Sequence, residues 1–251
     1  MKKIIIKILF TCFIITTCLL MAIIIIKYCL IKKDITGIKE VQAKILNKDI
    51  DCSNMENIIL SKYASLYEEN NDLIGWIKID NTEINYPVMY TPNDKNFYLN
   101  KNWNKEDSKV GLPYIDERCN IENSENLIIY GHCVKNGQMF GNLKKYKNKE
   151  YYEHHKTIKF DTLYEAHEYE IVSVFVTKVF YSGEKIDEDF LYYDYLDLED
   201  EGRYQKFIEN IQEKSIYKTN RELHNGDKFI TLSTCDYSFE NARLVVIAVQ
   251  K

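Results

Sequence analysis

From Ile8 to Ile26 the chain carries 19 consecutive residues without a charge, a proline or a glycine, and every helical face of that stretch is apolar. A helix of this length spans roughly the 30 Å hydrocarbon layer of a membrane. Lys2, Lys3 and Lys7 precede it, and Lys27, Lys32 and Lys33 follow. A cleavable signal peptide has a shorter apolar region and small residues at its cleavage site. Here the run ends in Ile23–Ile26 and Lys27, so it reads as a retained anchor. Lysines balance on the two flanks and leave the orientation open. The polar, mixed-charge stretch behind it reads as a partly helical stalk. The expected division is an anchor region at 1–33, a stalk at 34–54 and a folded body at 55–251.

In the body, Ile58, Ile59, Tyr63, Leu66 and Tyr67 recur at helical spacing within Met55–Asn70, with Ser53 as N-cap. From Leu73 the period changes. Short runs rich in β-branched and aromatic residues predict strands at Ile74–Ile79, Glu83–Met89, Asn126–Tyr130, Thr157–Asp161, Tyr169–Phe180, Phe229–Thr234 and Arg243–Val249. One helix interrupts them at Leu198–Lys214, with Tyr204, Phe207, Ile208 and Ile211 as its apolar stripe. The pattern predicts a mostly β body with one inserted helix.

Composition changes this picture little. At 251 residues and 45% hydrophobic the chain can build one sizeable core, and a net charge of −5 gives no reason to expect nucleic acid. Seven cysteines show neither metal-type paired spacing nor a disulfide framework.

The candidate chemistry lies in the last two strands. Alternation sets Thr231, Ser233 and Cys235 on one face. After seven intervening residues Arg243 opens the final apolar run, so a hairpin opposes Cys235 and Arg243, with Cβ atoms about 5 Å apart. A thiol near a guanidinium ionises more easily, and the thiolate is the nucleophile. Such a nucleophile needs a proton donor for its leaving group. His154 and His155 lie among Glu and Lys, His167 lies near a turn, and His224 precedes Asn225–Gly226. His132 alone follows an apolar strand directly, after Gly131, at a strand end where functional side chains project.

These residues resemble a known family. Thr231-Leu232-Ser233-Thr234-Cys235 with Arg243 resembles the sortase signature, and Ile129-Tyr130-Gly131-His132 resembles its histidine motif. Val110-Gly111-Leu112-Pro113-Tyr114-Ile115-Asp116 resembles the upstream Gly-x-x-Phe-x-Asp stretch, with Tyr114 where Phe is commoner. Asp94–Leu99 and the helix at 198–214 are similar to class B sortases. The resemblance implies a closed eight-stranded sortase-type β-barrel, with an N-terminal helix and a helix inserted in the loop between strands six and seven. It also implies a single-pass anchor through residues 8–26, with the body outside the cell.

It further implies a cysteine transpeptidase that uses no cofactor or metal. Cys235 attacks after Thr in the C-terminal sorting motif of a secreted protein. His132 acts as acid and base, and Arg243 positions the substrate or stabilises the oxyanion. A cell-wall peptide amine then resolves the thioacyl enzyme. Ser233, Leu99 and Tyr195 map to the sorting-motif groove. With the thiolate–imidazolium pair a minor population, turnover is expected well below the enzyme median of about 10 per second. Cys133, beside His132, departs from the family pattern and is expected to point away. A zinc site built from His132, Cys133, Cys235 and Asp236, a papain-like hydrolase and a membrane-anchored non-catalytic binding or sensor module are the rival readings.

Overall fold

The computed structural model describes residues 2–46, 59–181, 184–185 and 190–251. Its eight strands are β1 (Leu73–Lys78), β2 (Asn85–Met89), β3 (Tyr114–Ile115), β4 (Asn126–Tyr130), β5 (Thr157–Thr162), β6 (Ala166–Lys178), β7 (Phe229–Cys235) and β8 (Ala242–Gln250). They close into a barrel in the order β1-β2-β3-β4-β7-β8-β6-β5. The helices are α1 (Lys2–Leu46), α2 (Ser61–Glu69), α3 (Lys149–His154) and α4 (Glu201–Lys214).

The seven expected strands all form, within three residues at either end. β3, only two residues long, pairs in parallel with β2 and antiparallel with β4, and is too short for any periodicity to reveal. The pairing of β4 with β7 is parallel, Ile128 opposite Thr231 and Tyr130 opposite Ser233. Asn126 fixes that register from a fully buried position, accepting from Thr231 Oγ1 at 2.8 Å and donating to the Tyr195 carbonyl at 2.8 Å.

Apolar burial works on both faces of the last two strands. Ile230, Leu232, Leu244 and Val246 fill the barrel interior. Phe229, Val245, Ile247 and Val249 face outward, where the Tyr204, Phe207, Ile208 and Ile211 stripe of α4 covers them. The helix starts at Glu201, later than the expected Leu198, because Asp200 caps it by accepting from Arg203 N at 2.8 Å. α2 also starts late, at Ser61. The expected cap Ser53 and residues 55–58 lie outside the described residues. Residues 140–154, without a predicted element, form a 3₁₀ turn (Phe140–Lys147) and α3, which Asn148 caps.

α1 runs unbroken across the expected boundary at 33/34. Its first part, from Leu9, is long and apolar enough to cross a membrane and is wholly unburied by protein. Further on, Ile31, Ile35, Ile38, Val41 and Ile45 turn one stripe onto the barrel, with Ile38 and Val41 buried. Lys44 pairs with Glu69 of α2 at 2.6 Å. The stalk is therefore helical through Leu46 and packed against the body.

Candidate active site

β7 ends on Cys235, half-buried, and the antiparallel ladder sets it directly opposite Arg243. The alternation read from the sequence holds: Ser233 and Cys235 share the outward face, while Thr234 opposes Leu244, whose side chain joins the interior core. The connection between the strands is tied down at its first residue. Asp236 is 6% exposed, accepts from the Ser238 amide at 3.0 Å and from its hydroxyl, and pairs with Lys147 at 2.6 Å. Burial works to raise its pKa, but the lysine and the two Ser238 bonds hold it below the ordinary carboxylate range. The 3₁₀ turn carrying Lys147 thereby braces the loop that returns Arg243 to Cys235. Arg243 donates Nη1 to the Ala242 carbonyl at 3.0 Å and Nη2 to the Tyr181 hydroxyl at 3.1 Å. Burial opposes its charge, and Cys235 and Tyr181 more than offset that, so its pKa stands above the usual value.

β4 brings the histidine to the same rim. Beyond the last ladder pair, Gly131 N donates to the Ser233 carbonyl at 3.1 Å, and Thr234 Oγ1 donates to the Gly131 carbonyl at 2.7 Å. The chain at 131 thus lies beside the residues that precede Cys235, and His132 follows at once. His132 Nε2 lies 2.8 Å from the Leu99 carbonyl. A carbonyl only accepts, so Nε2 carries the hydrogen, and in the neutral ring Nδ1 is the nitrogen left to take a proton. Burial pushes the His132 pKa down, with the Leu99 carbonyl partly opposing.

Gly131 is small for a reason. A Cβ there would meet the buried Phe140 ring at 2.7 Å, and the Phe140 amide donates to the His132 carbonyl at 2.9 Å. Gly131→Ala is expected to cost about 1–3 kcal/mol by overpacking, read as a fall in the urea midpoint at unchanged m-value.

The expected groove residues divide. Ser233 is buried directly behind Cys235, and its hydroxyl lies 2.7 Å from that of Tyr192. Leu99 is half-buried at the rim and gives its carbonyl to His132. Tyr195 is buried and packed against Phe190 and Phe207, with the Arg203 guanidinium 4.9 Å above its ring. Within the Tyr192–Tyr195 run it is Tyr192 that touches Ser233; a three-residue 3₁₀ turn is too short for its period to single one out. Tyr181 also escaped the sequence reading, since nothing local marks a tyrosine beyond a strand end as a partner of Arg243. Cys133 is buried, sits in an isolated bridge with Met139, and has its thiol pKa raised by that burial. All six cysteines among the described residues are free. Among those residues no group of three or more metal-ligating side chains is gathered.

Asp116, from the upstream motif, anchors the neighbouring wall. It is 2% exposed, takes a two-pronged bond from Arg118 at 2.9 and 2.8 Å, and accepts from Tyr130 at 2.9 Å. Arg118 extends to the Tyr193 carbonyl at 2.7 Å and to Asp194 at 3.1 Å, tying the tyrosine turn to the barrel. Burial raises the Asp116 pKa, but Arg118 and Tyr130 together leave it lowered. A carboxyl depressed in the folded state contributes stability above its unfolded pKa near 3.9 and loses it as pH falls through the folded value. Stability is therefore expected to drop on acidification below about pH 4, and Asp116→Asn to flatten that dependence in denaturant titrations across the pH range.

Residues 77–251 match the family model of the sortase domain. The chain belongs to the sortase family. It is 30% identical over 205 residues to sortase B of Listeria monocytogenes, covering 80% of this chain and 79% of that protein. Against sortase B of Staphylococcus aureus the identity is 32% over 199 residues, covering 78% and 77%. The crystal structure of sortase B from B. anthracis in complex with AAEK1 superposes with a TM-score of 0.72 at 32% identity, over 90% of this chain and 98% of that one. These likenesses, and α4 between β6 and β7, make it a class B sortase, hence a cysteine transpeptidase. The sortase barrel, its N-terminal helix and its inserted helix are as the resemblance implied.

Proposed function

We propose that this sortase cleaves a C-terminal sorting motif of secreted proteins after Thr, with Cys235 as nucleophile, His132 as acid and base and Arg243 as the electrostatic partner. The cross-strand pairing of Cys235 with Arg243 at the end of β7, next to the strand end at Gly131 from which His132 follows, carries this reading. The Cys235 thiolate adds to the Thr carbonyl carbon, and the Arg243 guanidinium faces the developing oxyanion. The tetrahedral adduct collapses, the C–N bond breaks, and His132 protonates the departing amine through Nδ1. A peptide amine of the cell wall then attacks the thioester, returns its proton to His132, and releases Cys235. The lowered pKa of His132 makes its imidazolium a minority species at neutral pH, in line with slow turnover.

The apolar part of α1, followed by Lys27, Lys32 and Lys33, suits a single-pass anchor in the cell membrane. Transfer to the wall requires the barrel to stand on the outer side. The division proposed for the chain is an anchor at 1–33, a stalk at 34–54 and a catalytic body at 55–251. The test is a peptide panel varied around Thr–Gly and Thr–Asn bonds, incubated with the full chain in detergent, with and without an added amine nucleophile. Cleavage after Thr that shifts from the acid to the amide product as the amine is added supports the reading. Cleavage indifferent to the amine, or to the Thr, overturns it.

A further inference from the structure

Leu99 gives its carbonyl to His132, so whatever fixes the Leu99 peptide group fixes the imidazole. That peptide group has no regular strand to hold it; it ends a single turn of 3₁₀ helix at Phe97–Leu99. The segment 108–112 packs against it instead. Leu112 N donates to the Tyr98 carbonyl at 2.9 Å, and Ser108 N donates to the Asn100 carbonyl at 2.9 Å. Gly111, at φ +56°, lies so close that a Cβ there would stand 2.3 Å from the Leu99 oxygen. The turn that permits this contact is organised by one hydroxyl, since Ser108 Oγ accepts from Val110 N at 3.1 Å and from Gly111 N at 3.0 Å. Ser108 is 6% exposed, and its own hydroxyl hydrogen goes to Asp34 Oδ2 at 2.9 Å; the same oxygen accepts from Lys109 N at 3.2 Å. Asp34 belongs to α1, eight residues beyond the end of the apolar run at Ile26.

We propose that Asp34 and Ser108 are positioning residues for His132: the juxtamembrane part of α1 holds the 108–111 turn, which holds the Leu99 carbonyl, which sets the ring and its Nε2–H tautomer. The inference rests on His132 being the acid–base group. It assigns the anchor helix a part in catalysis beyond tethering. The apolar docking of Ile38 and Val41 brings the helix to the barrel, and Asp34 is the point where that docking is relayed to the site.

The test uses the full chain in detergent micelles, with the peptide cleaved fastest in the panel above as substrate. Asp34→Ala is expected to lower kcat about tenfold to a hundredfold, the scale of a small misplacement of a reacting group. KM stays within about twofold, the mark of an interaction that matters to the chemical step. The His132 15N spectrum of histidine-labelled protein loses its Nε2–H signature in the same variant. Ser108→Ala reproduces both changes, and the double variant is no worse than either single one because the two residues act through one path. Asp34→Asn, which keeps an acceptor oxygen in place, retains most of the activity. Lys44→Gln removes an exposed ion pair farther along the helix, outside the relay, and leaves kcat unchanged.

Wild-type kcat in Asp34→Ala, an unchanged His132 signature, or an equal loss in Lys44→Gln would each overturn the proposal. His132→Ala separates the two readings. Full turnover in that variant defeats the assignment of the histidine itself. An inactive His132→Ala beside an unaffected Asp34→Ala defeats the relay alone.

Discussion

Cys235→Ala is expected to remove transpeptidation down to background, a loss of roughly 10⁴-fold or more, together with the thioacyl adduct in intact-mass spectra. The substitution removes a half-buried sulfur at a strand end and leaves the ladder around it intact, so the barrel keeps its unfolding midpoint. His132→Ala is expected to fall almost as far, because a nucleophile and its proton partner work as a unit. The variant lacking both should be no slower than Cys235→Ala. Multiplicative losses in the double variant would mean that the two side chains contribute to separate steps. An adduct that survives Cys235→Ala would move the nucleophile to another of the free thiols.

Arg243→Ala should cost about 3–4 kcal/mol of transition-state stabilisation, or a few hundredfold to a thousandfold in kcat, the scale of losing one preorganised oxyanion donor. Arg243→Lys is expected to recover little of it. The guanidinium reaches the Ala242 carbonyl with one arm and the Tyr181 hydroxyl with another, which aims its plane. An ammonium on a flexible stem offers a point charge without that fork. The comparison is made on kcat with the peptide saturating, and unfolding curves show that both variants fold. Full activity in Arg243→Lys would reduce the role of this residue to net charge at the rim.

Most of the frame was legible because burial and strand period coincide in this chain. Asn126–Tyr130 and the run from Phe229 are dense in β-branched and aromatic residues and carry few charges, so their state is overdetermined. The facing of Cys235 and Arg243 followed from period 2 and one turn. What escaped detection has physical reasons too. Thr231 and Ser233 look like a solvent-facing polar row, yet both are buried because α4 and the tyrosine turn cover that side. β3 exists only through its neighbours. The docking stripe of α1 is spread among lysines and follows a run so apolar that it masks the weaker signal behind it. The carbonyl that orients His132 comes from 33 residues away in the chain, through backbone alone, and no side-chain pattern announces a backbone contact.

The central parallel pair, β4 with β7, joins segments about a hundred positions apart, and the strand bearing Arg243 is wedged between β7 and β6 as the last element of the chain. Until β8 forms, the other seven strands can pair only as an open sheet, with β7 and β6 as its unjoined edges. Contacts this distant form slowly, because loop closure must precede them. The facing of Cys235 and Arg243 is thus a late event of folding: the two side chains meet across the ladder only when β8 docks between β7 and β6.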